Sequence, residues 1–138
     1  MITRAEYEKS VCHRLGQAKP LPFRKVLFAD GSGPQRNCCH DNVDRWIKEN
    51  PGSSALRGWV DYMPSVNGTL LTAHSVVREI GGRSFDITPL ADERVRDTMR
   101  FVPHLGNQEE FHFMRKSNIF IECPGGRSNE AAPNAHIF

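Results

Sequence analysis

Apolar residues recur at helical spacing near the start of the chain and again before position 50, and at strand spacing from position 56 onward. Tyr7, Val11 and Leu15 stand at i, i+4 and i+8, which predicts a helix over residues 3–15 ending at Gly16. Pro20 and Pro22 then force an extended segment, with a short strand expected at Arg24–Phe28 and a loop over Asp30–Pro34. A second helix is expected over Cys38–Glu49, with Asn37 as its N-cap and Asn50-Pro51-Gly52 as its stop. Its apolar stripe is Cys39, Val43, Trp46 and Ile47, so Cys39 faces inward and Cys38 lies about 100° round on the flank.

Strand texture follows. Leu56–Met63, Thr69–Ile80 and Arg83–Thr88 read as three strands, the last two joined by a Gly81-Gly82 hairpin turn and stopped by Pro89. Asp92–Met99 reads as a short helix and Pro103–Gly106 as a loop. Phe111–Met114 and Asn118–Ile121 are expected to be two short strands around an Arg115-Lys116-Ser117 turn. The resulting expectation is one α+β domain over residues 1–122, its cysteine-bearing helix packed on an antiparallel sheet. An extended or disordered tail over 123–138 is rich in Pro, Gly, Ser and Asn.

Bulk composition narrows the function classes. A chain of 138 residues matches one core, and no apolar run approaches the roughly 20 residues of a membrane-crossing helix. A net charge of +2, dispersed along the chain, gives no basic patch for nucleic acid. The N-terminus lacks the apolar stretch of a signal peptide, so the expected compartment is the cytoplasm and the expected chain is soluble. On that basis Asn67-Gly68-Thr69 is a turn rather than a glycosylation site, and all four cysteines are expected to be free thiols. No cofactor signature is visible, and the adjacent pairs Cys12-His13 and Cys38-Cys39 converge poorly on a metal ion, so no metal is expected.

The chemistry worth pursuing is nucleophilic. A reactive cysteine needs a stabilised thiolate, a base within reach and a group that orients the base. Cys39, at the second position of its helix, would have the unpaired amides and positive dipole end beside it. His74 lies in a long strand and Asp86 in the next strand of the hairpin. If the hairpin loop has an odd length, residues whose numbers sum to 162 face each other, and Asp86 then falls on the same face as His74, a diagonal step of roughly 7–8 Å away. With a two-residue loop Asp86 turns away. His40, next to Cys39, is expected to diverge from it by about 100° and to be solvated.

The segments Cys39-His40-Asp41-Asn42-Val43, Gly58-Trp59, Ala73-His74-Ser75-Val76-Val77 and Phe85-Asp86-Ile87-Thr88-Pro89 resemble the papain-like, transglutaminase-like cysteine hydrolase superfamily. The likeness is to small bacterial proteins with a Cys-His-x-Asn helix start, and it covers roughly residues 35–90. It implies a papain-like core, a Cys39-His74-Asp86 triad and an amide, peptide or ester substrate. Gln35 and Asn37 are the candidates to assist an oxyanion, although neither stands a turn and a half before the cysteine as in papain-like peptidases. Asn42 and Trp59 are candidates to line the cleft. The alternatives are a catalytically silent fold that binds a peptide or protein partner, a Cys38-Cys39 thiol redox protein, and Cys39 as a plain core thiol.

Overall fold

In the computed structural model, which describes residues 2–65, 68–117 and 120–124, the first periodic stretch forms helix α1 (Arg4–Leu15). Thr3 and Glu6 close a capping box: the Glu6 N–H donates to Thr3 Oγ1 at 3.1 Å and the Thr3 N–H donates to Glu6 Oε1 at 2.8 Å. Tyr7, Val11 and Leu15 are buried. Tyr7 also accepts from Trp59 Nε1 at 2.9 Å, which anchors the helix to the sheet.

Strand β1 (Lys19–Pro20) lies earlier than the strand expected at Arg24–Phe28, where the chain is irregular. After it come α2 (Cys39–Glu49), β2 (Ser54–Ser65), β3 (Gly68–Arg78) and β4 (Ser84–Phe85). A 3₁₀ turn (Glu93–Thr98), β5 (Arg100–Pro103), α3 (Gln108–Ser117) and β6 (Phe120–Pro124) complete the described chain. The architecture is α+β with an antiparallel sheet in the order β1-β5-β2-β3-β4, and β6 also pairs with β3. Asn67, Asn118 and the tail from 125 onward lie outside the described residues, while Cys123 and Pro124 continue β6.

Two expectations are corrected here. Phe111–Met114 is not a strand but the middle of α3, which buries Phe111 and Met114 on one face. The helix signals were local: Asn107 Oδ1 accepts from the Glu110 N–H at 2.8 Å, acids fill the first turn, and Arg115 and Lys116 fill the last. The cysteines are not all free either, since Cys12 of α1 and Cys123 of β6 form a disulfide across a sequence separation of 111. Neither cysteine carries a spacing motif, so only the packing of α1 against β6 reveals the pair.

The hairpin β3–β4 sets up the site. Val77 pairs with Phe85 and Arg78 with Ser84, so paired numbers sum to 162, and the Glu79 N–H donates to the Arg83 carbonyl around a three-residue loop. The strand expected over Arg83–Thr88 stops at Phe85. Beyond it, Asp86 is flanked by the 22–24 segment: its N–H donates to Pro22 O and its carbonyl accepts from the Arg24 N–H, both at 2.9 Å.

The far end of β3 pairs with β6, from Gly68–Pro124 to Thr72–Phe120. Residues 73–76 therefore have no strand neighbour on that side among the described residues. This notch in the sheet edge is where the start of α2 meets β3. One face of the sheet carries the core around Trp59, Leu71 and Phe111, and the other carries Val60, Val76, Met99 and Phe101.

Gly58 pairs with His74 across the sheet, and a Cβ there would meet the Phe101 ring at 2.6 Å and the Val102 carbonyl closer still. Gly58→Ala should therefore cost about 1–3 kcal/mol through overpacking, read as a lower urea midpoint at unchanged slope. Reducing the Cys12–Cys123 disulfide should cost about 2–4 kcal/mol, read from urea unfolding with and without dithiothreitol.

Candidate active site

Cys39 is the first residue of α2 rather than its second. Asn37, the expected cap, takes a left-handed φ of 62°, a conformation that asparagine tolerates, and Cys38 becomes the N-cap. The first helical bond runs from the Asn42 N–H to the Cys38 carbonyl at 2.8 Å, which leaves the amides of Cys39, His40 and Asp41 without an intrahelical acceptor. The positive end of α2 thus lies beside the Cys39 sulfur. Cys38 and Cys39 are both free thiols, partly exposed.

His74 and Asp86 meet as the odd-loop register requires. His74 Nε2 donates to Asp86 Oδ2 at 2.7 Å, and both side chains are buried. The same Oδ2 accepts from Arg96 Nη1 at 2.6 Å, and Oδ1 accepts from the Thr88 N–H at 3.0 Å. Arg96 is itself held by Glu93, by the Thr88 carbonyl and by the Phe23 ring 4.5 Å below its guanidinium. A water-sized cavity lies against this cluster, lined on its apolar side by Leu21, Val76, Met99 and Phe101.

With Nε2 committed to Asp86, Nδ1 is the ring nitrogen left to face Cys39, whose thiolate both His74 and His40 favour. Burial alone would push the thiol up, but the two histidines outweigh it and bring it down to about 6. Burial alone would likewise push His74 down, yet Asp86 and the Cys39 sulfur raise it to about 10. For Asp86 burial pushes up, and the bond from His74, the Thr88 amide and the Arg96 charge win, holding the carboxyl below its ordinary range. Both directions favour a thiolate beside an imidazolium, each charge supporting the other.

His40 corrects the sequence reading. It is half-buried rather than solvated: its Nδ1 is 2.6 Å from Ser75 Oγ and its ring packs edge-on against Phe111 at 6.0 Å. The 100° divergence of neighbouring helical side chains holds, but α2 opens onto the notch in β3. Side chains there can approach the strand from both faces, so His74 and Ser75, successive residues on opposite faces, both meet the helix start. Arg57 was also missed. It is buried, donating to Ser75 Oγ at 2.8 Å and to Asp44 Oδ1 at 2.7 Å. Its strand parity with Trp59 was readable, but nothing in sequence ties it to Ser75.

The supporting candidates fall elsewhere. Gln35 and Asn37 have exposed side chains. Asn42 is a buried fastener rather than a cleft wall: its Nδ2 donates to the Gln35 carbonyl at 2.8 Å and to Thr88 Oγ1 at 2.9 Å. It ties the loop before α2 to the segment after Asp86, and so helps hold Cys39 against its partners. Trp59 is fully buried in the core with its indole N–H on Tyr7. Among the described residues no group of three or more His, Cys, Asp or Glu side chains is arranged to hold a metal ion, and no helix is long and apolar enough to cross a membrane.

No family model, curated protein or solved structure matches this chain.

The charge pairing has a pH signature. His74, raised from 6.5, contributes stability that is present below 6.5 and lost as pH rises through about 10. Cys39, lowered from 9.0, contributes stability that is present above 9.0 and lost as pH falls through about 6. Between about 6.5 and 9 folding moves a proton from sulfur to imidazole without net uptake, so wild-type stability should be flat there. Cys39→Ala removes one half of the exchange, and its stability should fall as pH rises above 6.5. Urea midpoints across that range check both profiles; a flat profile for the variant contradicts the assignment.

Proposed function

We propose that the chain is a cysteine hydrolase or acyltransferase on a papain-like core, acting on an amide, peptide or ester through Cys39, His74 and Asp86. The observation that carries this reading is the buried Asp86–His74 bond ending at a thiol at the mouth of a helix. A buried carboxylate, imidazole and guanidinium are costly to desolvate, and a core of similar volume packed with apolar residues would be at least as stable. Such an arrangement is the usual sign of groups tuned for reaction.

The reaction follows from the placement. The Cys39 thiolate attacks the substrate carbonyl carbon, the S–C bond forms, and the C=O π pair moves onto oxygen. The free amides at the start of α2 are oriented to stabilise that oxyanion. As the tetrahedral species collapses, the bond to the amine or alcohol breaks and His74 gives its proton to the departing group. Asp86, fixed by Arg96, holds the ring throughout. Water, or an acceptor amine or alcohol, then loses a proton to His74 as it attacks the thioester, and the thiolate is released.

The compartment is proposed on chemistry rather than on the first residues. The Cys12–Cys123 disulfide is the kind of bond that persists under oxidising conditions. An oxidising compartment therefore fits better than the cytoplasm expected from sequence. The second reading, a silent fold that binds a peptide or protein partner, is not favoured by any specific contact, whereas the thiolate pair favours chemistry.

Iodoacetamide followed by peptide mass mapping should label Cys39 well before Cys38, with a rate that is half-maximal near pH 6. An activated ester such as p-nitrophenyl acetate should give a burst of product and an acyl group on Cys39. His74→Ala should slow that burst by at least about 100-fold, the usual scale of general acid–base catalysis. Equal labelling of Cys38 and Cys39, or a burst that survives Cys39→Ala, would overturn the reading.

A further inference from the structure

For Cys39 to face His74, helix α2 has to be seated at its first turn, and its apolar stripe packs further along. Val43, Trp46 and Ile47 join Val77, Phe85 and Ile87 in one cluster, at positions about 6–12 Å along the axis from Cys39. The first turn is held instead by polar contacts on two flanks. On one flank Asn42 donates to the Gln35 carbonyl and to Thr88 Oγ1. On the other, His40 Nδ1 lies 2.6 Å from Ser75 Oγ, and Asp44, one turn on, accepts from Arg57 Nη2 at 2.7 Å. At about 100° per residue, Asn42 stands about 60° from Cys39 in one direction, and His40 and Asp44 about 100–140° in the other. Cys39 lies between the two fastenings.

We propose that Arg57 is a positioning residue for the reaction: by holding Ser75 and Asp44 on one guanidinium, it fixes the rotation of α2 and so the direction in which Cys39 faces. The inference rests on Cys39 and His74 being the reacting pair, and it adds what turns one toward the other.

The guanidinium is suited to this because it is a planar fork with donors at fixed angles. Its Nη1 donates to Ser75 Oγ on β3 at 2.8 Å and its Nη2 to Asp44 on α2. Nε and Nη2 donate to Gln108 Oε1 on α3 at 3.4 and 3.3 Å. One rigid group thus registers α2 against a strand and a second helix. Arg57 is 7% exposed, whereas its partner Asp44 is 56% exposed. A guanidinium stripped of water opposite a carboxylate that stays half in water gains little net stability. An apolar side chain of similar volume would fill the same place and leave the helix free to turn on its stripe. Being buried, Arg57 acts through the helix rather than on the substrate.

The test is the p-nitrophenyl acetate burst of the full chain, with maximal rate and half-saturating ester concentration measured beside urea midpoints. Arg57→Met fills a similar volume without the donors, and its urea midpoint should stay close to wild type. Its maximal burst rate should fall about 10–100-fold, the scale of a misplacement near 1 Å. The half-saturating concentration should stay within about twofold, since no substrate contact is lost. Asp44→Ala should slow the burst by less and add nothing to Arg57→Met in the double variant. Asp44 is half exposed, so this variant carries the test if Arg57→Met does not fold. Three results overturn this inference alone, given a wild-type burst that Cys39→Ala abolishes. They are unchanged maximal rates in both single variants, additive losses in the double variant, and losses that only track the unfolded fraction. A wild-type chain without a burst overturns it together with the proposed function.

Discussion

The geometry of the site depends on one oxygen atom, Asp86 Oδ2, which accepts from His74 at 2.7 Å and from Arg96 at 2.6 Å. Two donors on one buried oxygen fix its position and keep the carboxyl ionised. The fixed carboxylate then decides which nitrogen of His74 points at the sulfur. Everything on the His74 side of Cys39 follows from that choice. The surrounding structure is arranged to hold the oxygen in place: Pro22 and Arg24 bond the Asp86 backbone, the Thr88 amide takes the second carboxylate oxygen, and Phe23 supports Arg96. The cost of burying three ionisable groups is offset only while the set is complete.

The sheet contributes by being incomplete. A strand spanning the whole edge of β3 would bury residues 73–76 in a ladder and exclude the start of α2. Instead β4 and β6 divide that edge between them, and the gap admits a helix terminus. The amides of Cys39, His40 and Asp41, which have no acceptor within the helix, arrive beside the two imidazoles. Asn42, one turn along, pins this arrival by bonding both the loop before the helix and Thr88. Fold and site are thus linked through a short list of polar contacts rather than through the apolar core.

How much of this was legible in sequence varied with the range of the interaction. Elements written by local periodicity, α1, α2 and the β2–β3 pair, emerge close to their expected positions because their apolar spacing is their packing. The relation of His74 to Asp86 was legible as a parity condition, since a hairpin register is set within a few residues of its turn. Helix α3 was misread because Phe111 and Met114 were weighed without the Asn107 cap and the charge gradient around them. The disulfide, Arg57 and the half-buried place of His40 against Ser75 were not legible. Each depends on segments far apart in sequence, 111 residues for Cys12 and Cys123 and 35 for His40 and Ser75, and on a sheet edge that no local pattern describes.

The central claim is a charge state: an imidazolium at His74 beside a thiolate at Cys39. Nitrogen-15 NMR of the His74 ring at pH 8 reads it directly. The account predicts protons on both ring nitrogens there, with one lost only as the pH approaches about 10. A neutral ring carrying a single proton at pH 8 would contradict it.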